Sequence, residues 1–375
     1  MLAGMLVLTL AGCAAEPAPA PLSEKTAEAA ASFSWRLFDA VREPEKNLIL
    51  SPVSVLAAAG MCATGAKGET LSQLEAAAGM DVSAMNELAA AYASQSGVFE
   101  SANSVWLRKD FQISDPQVLS TLETQYQAAV FTEPFNQSSC DKINKWVSEK
   151  TEGLISRMVR EIPSSTQMVL LNAAAFDGGW TAPFDPEATD TAVFTGSSGT
   201  GEPVSMMHST ENTYVETDTL HGFMKPYGDG QYGFVALIPK EGGLLDDALK
   251  TLPENMEMSQ REVYVSLPRF ALDAEADLVP VMESLGATDL FDEKADLSGF
   301  GKGLYVSSLL QKARIIVDEK GTKAGAATEA GISEMSLAPD EPVTINCDRP
   351  FAYMVMDLEH NVPLFMGIVE KVSES

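Results

Sequence analysis

The sequence predicts one mixed α+β domain. Apolar residues recur at helical spacing through much of the first half, and strand patterns dominate the second half. Helices followed by antiparallel-type strands are typical of the α+β class. Between residues 25 and 372 we find no Pro/Gly/Ser-rich linker and no run of charge that would mark a boundary. We therefore expect a single large domain over residues 25–372.

The first half is predicted to be mainly helical. Ala30, Phe33, Leu37 and Val41 form one apolar stripe, which predicts an amphipathic helix at the start of the domain. The other elements predicted here are strands over residues 47–52 and 98–107, and helices over residues 53–63, 70–78, 85–92, 118–126 and 143–155.

The second half is predicted to be rich in strands. Residues 167–176 form an apolar run without alternation, which is the pattern of a strand buried on both faces. Val263, Val265 and Leu267 alternate cleanly with polar residues. The other predictions are strands at residues 193–194, 214–215, 223–226, 233–239 and 309–317, a helix over 278–285, and a closing hairpin-like pair at 351–358 and 364–369.

Residues 314–336 carry two conflicting signals. The segment begins as an apolar β-branched strand and continues with glycines and small side chains, a composition typical of a surface linker. However, small and mostly apolar residues also occupy every second position, which is the pattern of a half-buried strand. This alternating row consists of Thr322, Ala324, Ala326, Thr328, Ala330 and Ile332. Both interpretations, linker and strand-forming loop, are open on this pattern alone.

The charge of the chain excludes some classes of partner. It has 53 acidic and 25 basic residues, a formal net charge of −28. Binding to phosphate backbones requires clustered Lys and Arg, so we expect no nucleic-acid partner. The same charge opposes simple electrostatic attachment to anionic lipid and favours solubility in an extracellular or acid-tolerant setting.

The N-terminus predicts export. Residues 1–13 are apolar, end in Leu-Ala-Gly-Cys, and are too few to span a bilayer. They resemble a bacterial lipoprotein signal, in which Cys13 is acylated, although no Lys or Arg precedes the run. A plain secretory signal is the alternative. Residues 14–24 are rich in Ala and Pro, as a surface tether would be. We expect a lipid-anchored protein at a bacterial surface, or otherwise a secreted one.

The remaining cysteines predict neither a disulfide framework nor a metal site. Cys62, Cys140 and Cys347 are too widely spaced for a zinc or redox motif, and three thiols cannot all pair. Buried free thiols are therefore expected, with no metal.

Motifs of enzyme catalysis are also missing from the sequence. The three histidines do not form His-Glu-x-x-His, and no Gly-x-Ser-x-Gly elbow occurs. Residues 228–233 match Gly-x-Gly-x-x-Gly, but they precede a strand rather than open a helix, so a β-turn is the better interpretation. We expect no enzyme and no cofactor; a hydrolase site without a known motif is the alternative.

Several segments, in order along the chain, resemble one known family. They are NLILSPVS at residues 47–54, GAKGET at 65–70, NAAAFDGGWTAPF at 172–184, DEKGT at 318–322, and DRPF with LFMG at 348–351 and 364–367. Together they resemble the serpins, over residues 33–372. The resemblance implies three β-sheets, eight or nine helices and an exposed reactive-centre loop at about residues 319–342.

The resemblance also implies a function and a partner. In inhibitory serpins a serine protease cleaves the loop, is trapped as the acyl-enzyme, and the loop inserts into the main sheet. Counting in the family's register places the cleaved bond at Met335–Ser336, with cleavage after Glu334 or Leu337 as alternatives. Methionine suits an elastase-, chymotrypsin- or subtilisin-like protease. A non-inhibitory serpin that binds or carries a ligand is the alternative function, and we expect a monomer in either case.

The site residues implied by the resemblance fall into three groups. The hinge and inserting loop would be Glu319, Gly321, Thr322, Ala324, Ala326, Ala327, Thr328, Ala330 and Ile332. The shutter beneath the main sheet would be Ser51, Ser54, Asn172 and Gln311, and the breach would contain Trp180. Two positions depart from the family pattern: Gln311 replaces a common histidine, and Lys323 replaces a common acid. The inward row contains no charge or proline, which favours the inhibitory type.

Overall fold

The structure is a computed structural model that describes residues 22–93, 98–151, 153, 155–228, 230–240, 243–250, 256–322 and 341–372. Cys13, most of the predicted tether, and residues 323–340 of the predicted loop lie outside these ranges. Within them no helix is both long and apolar enough to cross a bilayer. The fold class is the one predicted from the sequence, with helices packed around three sheets.

Eight α-helices lie in the described residues, and all the longer ones except Gly68–Ala78 begin at an N-terminus capped by a side chain. Side-chain oxygens of Ser51, Asp81, Asp115 and Asn136 each accept a backbone N–H in the first helical turn. The helices are α1 Glu24–Val41, α2 Pro52–Gly65, α3 Gly68–Ala78, α4 Val82–Tyr92, α5 Pro116–Gln125, α6 Gln137–Lys150, α7 Leu245–Ala248 and α8 Val279–Ser284.

The start of α1 corrects one predicted boundary. Ser23 caps the helix, and Leu22 is buried in the main core. The folded part of the chain therefore begins before residue 25, and the predicted tether of residues 14–24 is shorter by its last three positions.

The strands form three sheets. They are β1 Leu48–Leu50, β2 Phe99–Arg108, β3 Ala129–Glu133, β4 Met168–Phe176, β5 Gly178–Gly179, β6 Asp190–Thr195, β7 Gly201–Glu216, β8 Leu220–Tyr227, β9 Tyr232–Pro239, β10 Glu257–Pro268, β11 Phe270–Asp277, β12 Leu310–Val317, β13 Gly321–Thr322, β14 Val343–Asn346, β15 Phe351–Asp357 and β16 Val362–Val369. The large sheet has the order β1-β16-β15-β9-β8-β7-β10-β14, with β6 paired to β7. The four-stranded sheet is β11-β12-β13-β5, and the three-stranded sheet is β3-β2-β4.

Two apolar clusters cover the two faces of the three-stranded sheet. The main core includes Ala174 and Phe176 on the inner face of β4, and α2, which is buried along almost its whole length. The second cluster lies between the outer face and α6, and contains Trp106, Phe135 and Ile143. Both faces of β4 are thus covered, which explains its non-alternating sequence.

The remaining sequence predictions on turns and cysteines are confirmed. Gly228 and Gly230 lie between β8 and β9, which pair up to Tyr227 and Tyr232, and both glycines have positive φ, as expected for a turn. Cys62, Cys140 and Cys347 are free and buried. No cluster of metal-ligating side chains occurs in the described ranges.

Candidate functional site

The candidate site is a seam between β4 and β12. The two strands are neighbours in space and run parallel, but no backbone ladder joins them, although residues 168–176 and 310–317 are all described. Among the described residues, β4 pairs with β2 and β12 with β11, each on the side away from the seam, and on the seam side only Val317 at the end of β12 pairs, with Thr322. Facing edges that lack ladder partners can accept an additional strand.

One end of the seam is already filled by β13. After β12 the chain turns at Asp318, whose carboxylate accepts the backbone N–H groups of Lys320 and Gly321. The next two residues pair with β12 on one side and β5 on the other: Thr322 lies opposite Val317, and Gly321 lies opposite Gly179. A Cβ at position 321 would lie 2.1 Å from the carbonyl oxygen of Gly178, so only glycine fits there.

Thr322 is held by a stack of aromatic rings. Its hydroxyl is hydrogen-bonded to the Tyr227 hydroxyl, and its side chain is buried. Tyr227 stacks on Trp180 with ring centroids 4.4 Å apart and planes 13° apart. Trp180 in turn donates from Nε1 to the Asp318 carbonyl and from its backbone N–H to the Lys320 carbonyl, each at 2.9 Å. The predicted breach tryptophan therefore contacts both the turn and the residue that follows it.

Glu319 also connects the hinge to neighbouring segments of the chain. Its carboxylate accepts from the Arg269 guanidinium and from the Thr189 hydroxyl, and its backbone carbonyl accepts from Phe184 N–H. Burial opposes ionisation of Glu319, but the hydrogen bonds from Arg269 and Thr189 outweigh it, so the pKa of this carboxyl lies below its usual range. Glu319 is thus held as a carboxylate at neutral pH.

The predicted shutter residues form two separate hydrogen-bonded groups. The Gln311 amide pairs with the backbone of Ser51: its oxygen accepts from Ser51 N–H at 3.2 Å, and its nitrogen donates to the Ser51 carbonyl at 2.8 Å. The Ser51 hydroxyl also caps α2 by accepting from Ser54 N–H. Gln311 therefore joins β12 to the start of α2 through both a donor and an acceptor. An amide carries both groups on one carbon, so they can bind the backbone of the same residue, whereas the two nitrogens of a neutral imidazole point in different directions.

Asn172 lies in the second group. Its amide nitrogen donates to Ser101 and to Asn103, at 3.1 and 2.7 Å. Its amide oxygen is buried and has no hydrogen-bond partner in the structure. Asn172 shares the inner face of β4 with Ala174 and Phe176, so this oxygen lies on the same face as the hinge threonine. A buried acceptor without a partner costs free energy that a new donor can recover.

The other predicted site residues cannot be placed. Cys13, the reactive bond Met335–Ser336 and the loop positions after Thr322 lie outside the described residues; those positions are Ala324, Ala326, Ala327, Thr328, Ala330 and Ile332.

Several residues around the hinge were not identified from the sequence. Arg269, Thr189 and Tyr227 are distant from the hinge along the chain, and nothing in their local sequence indicates that they contact it. Lys225 carries a clearer signal, because it is a single cation on the inward face of an otherwise apolar strand, between Phe223 and Tyr227.

Comparison with known proteins identifies the family. A sequence profile described as Serpin (serine protease inhibitor) matches residues 28–372. The chain belongs to the serpin family. Leukocyte elastase inhibitor A of Mus musculus is 31% identical to this serpin over 92% of the chain and 99% of its own length. An uncharacterized serpin-like protein of Methanosarcina acetivorans is 29% identical over 90% of the chain and 84% of its own length.

Solved serpin structures share the fold. Tengpin, a thermophilic serpin, in its native state is 33% identical with a TM-score of 0.84, over 94% of this chain and 96% of its own. Human thyroxine-binding globulin in complex with its ligand is 25% identical with a TM-score of 0.80, over 94% and 99%. The fold therefore occurs both in proteins named as inhibitors and in one named for binding a small molecule, and the function must be argued from the site.

Proposed function

We propose that this serpin is a suicide-substrate inhibitor of serine proteases. The observation that carries the proposal is β13: the hinge already forms the first two residues of a strand between β5 and β12. Beyond it, the facing edges of β4 (residues 168–176) and β12 (residues 310–316) have no ladder partner among the residues that the structure describes. After cleavage, the loop would continue this strand along the seam.

The register of β13 assigns a neighbour to each inserting residue. If the loop continued in this register, each further residue would pair one position further back along β5 and then β4, and one position further back along β12. Thr328, six residues after Thr322, would lie between Asn172 on β4 and Gln311 on β12. Its hydroxyl would then be beside the buried Asn172 oxygen that has no partner.

The same register suits the small residues of the loop. Ala324 would lie between the large side chains of Phe176 and Ile315, where little space is left. Lys323, on the opposite face, would lie beside Asp177. Lysine at this position, where the family commonly has an acid, would therefore place opposite charges next to each other.

Trapping requires one covalent exchange. The protease's serine oxygen attacks the Met335 carbonyl carbon, the amide bond to Ser336 breaks, and Ser336 leaves as a free α-amine after taking up a proton. Met335 is then held as an ester on the protease. Insertion of residues 323–335, at about 3.3 Å each, would carry the protease roughly 43 Å before the ester is hydrolysed.

The sheet favours insertion. The loop would enter between the parallel strands β4 and β12, which share no ladder, and would pair antiparallel with each of them. Antiparallel pairing is slightly more stable per residue than parallel pairing. About ten new ladder bonds at about 1 kcal/mol net each would make the movement one-way. The inward row supplies no charge or proline to oppose it.

Two further parts of the proposal concern specificity and location. Met335 would fit an apolar primary pocket, which favours elastase-, chymotrypsin- or subtilisin-like targets, and the name of the mouse relative supports this class. We also propose that Cys13 is acylated and anchors a monomeric inhibitor to a bacterial surface. Cys13→Ser should move the protein from the membrane fraction to the soluble fraction.

The test is to mix the protein with a panel of serine proteases and separate the products on a denaturing gel. The proposal predicts an SDS- and heat-stable adduct with at least one protease, and a released C-terminal peptide that begins at Ser336. A loop that every protease cleaves without forming an adduct would contradict inhibition and favour a binding or carrier role.

A further inference from the structure

Strands β7 and β8 separate next to the hinge. They pair from Glu216 with His221 to Thr213 with Met224, and beyond that point β7 leaves β8 but stays paired with β10, and at its other end it pairs with β6. Trp180 contacts β8 in the resulting fork, where it forms an isolated bridge with Tyr227. The side chains that fill this fork therefore support the tryptophan that contacts the hinge.

A buried ion pair fills the fork. Lys225, on β8, is 1% exposed, and its ammonium lies 2.5 Å from a carboxylate oxygen of Glu211 on β7. Glu211 lies at a register shift where β10 has one extra residue, and such bulges redirect side chains. The Ser209 hydroxyl donates to the same carboxylate oxygen at 2.6 Å. A buried ammonium needs this carboxylate, because neither charge has water to solvate it.

The ammonium also contacts the rings that hold the hinge. Lys225 Nζ lies 4.4 Å from the ring centroid of Phe184 and 5.7 Å from that of Trp180. Cation–π attraction is strongest where the cation is desolvated, as it is here. Phe184 and Trp180 each donate a backbone N–H to the hinge, to the carbonyls of Glu319 and Lys320. One buried cation thus contacts two aromatic residues that are hydrogen-bonded to consecutive hinge residues.

We infer that Lys225, held by Glu211, is a positioning residue for the loop hinge: it fixes Trp180 and Phe184 so that Thr322 is held at the end of the seam. Its role in inhibition rests on the proposed function, whereas its hold on the hinge does not. Burial lowers the pKa of Lys225, and the attraction of Glu211 opposes this shift, so the carboxylate helps to keep the cation charged.

The test compares two double variants. Lys225→Met with Glu211→Leu removes both buried charges, and methionine keeps packing against the rings. The control, Lys240→Met with Glu216→Leu, removes a second ion pair of 3.1 Å that also involves β7 but is half-exposed and does not contact Trp180. If the first variant does not fold, the isosteric Glu211→Gln, which weakens only the hold on Lys225, takes its place.

Two readouts separate the inference from the proposed function. The first is hydrogen exchange of the peptide covering residues 318–322 in the intact protein, which needs no protease. We expect exchange at least tenfold faster in the Lys225 variant, with the control and distant strands unchanged. Unchanged hinge exchange in a folded Lys225 or Glu211 variant would overturn the inference, whatever the inhibition assay gives.

The second readout is the stoichiometry of inhibition. A poorly positioned hinge should insert more slowly, so that more serpin is cleaved per protease trapped; we expect at least a twofold rise for the Lys225 variant and none for the control. No adduct with wild-type protein would contradict the proposed function alone. Wild-type adduct with equal stoichiometry in both variants would contradict the positioning role alone.

Discussion

At the scale of single residues, the hinge is held by contacts to side chains that are distant in sequence. Glu319 is fixed by Arg269 and Thr189, and Thr322 by Tyr227. These contacts hold the hinge in the gap between β5 and β12. Each of these contacts can be removed by a substitution that leaves the loop sequence beyond Thr322 unchanged.

The Glu319 contact predicts a pH dependence. The folded-state pKa of Glu319 is lowered, so its stabilising contribution is present above the unfolded pKa, about 4.3, and is lost as pH falls through the folded value. Glu319→Gln should therefore speed hydrogen exchange at the hinge at pH 7. The difference between wild type and variant should shrink steadily below about pH 4.3. A difference that stays constant across this range would show that Glu319 does not act as a carboxylate.

Thr328 provides the residue-scale test of the register. Thr328→Val should leave the intact protein unchanged but destabilise the cleaved form by about 1–3 kcal/mol, because the Asn172 oxygen would remain buried without a donor. Thr328→Ser keeps the hydroxyl and is the matched control. Denaturant unfolding of both cleaved variants measures the effect. Equal stability of the two would mean that Thr328 does not reach Asn172.

At the scale of elements, long units with a clear sequence pattern were predicted well and short ones poorly, and of the 16-residue strand β7 only residues 214–215 were predicted. Helices such as α1 and α2 and strands such as β4 and β12 have enough residues for a period to be recognised. In contrast, β3, β14 and α7 have four or five residues each and were not predicted. These short elements depend on pairing with neighbours that are distant in sequence, which local patterns do not contain. Strand β11 was also missed, although its acidic residues alternate with apolar ones, which is the pattern of a half-buried strand.

The candidate site was predictable to a similar extent. Alternation in the loop identified Thr322 as inward-facing, and the structure buries it. The partners of the hinge, Arg269 and Tyr227, could not be found, because a hydrogen bond between distant segments leaves no local pattern. The separation of Asn172 from Gln311 was also not predicted, since it depends on the width of the seam between β4 and β12.

Thr322→Arg is the element-scale test of β13. The guanidinium would have to enter the buried position under Tyr227, so we expect the variant to be cleaved as a substrate without forming an adduct. Lys323→Arg places the same side chain one residue later on the opposite face and should inhibit like wild type. Both are measured by the ratio of adduct to cleaved serpin on a denaturing gel. Undiminished inhibition by Thr322→Arg would argue against insertion on this face.

At the scale of the whole molecule, the proposed cleaved form differs from the intact form in the seam between β4 and β12, which the loop would fill after cleavage. The seam lies between the three-stranded and the four-stranded sheets, and α2 of the main core packs against β4. Loop cleavage would free the segment after Thr322 to complete the sheet, and the gain would be shared by the entire domain. The thermal stability of the molecule is therefore the quantity that reports insertion most directly.

The most direct measurement is thermal unfolding of the protein before and after one cleavage at Met335–Ser336. About ten new ladder bonds should raise the midpoint of unfolding on the order of 10–15 °C for a domain of this size. Cleaved Thr322→Arg should show little or no rise. A cleaved wild-type protein that unfolds at the same temperature as the intact protein, or below it, would contradict loop insertion and with it the proposed mechanism.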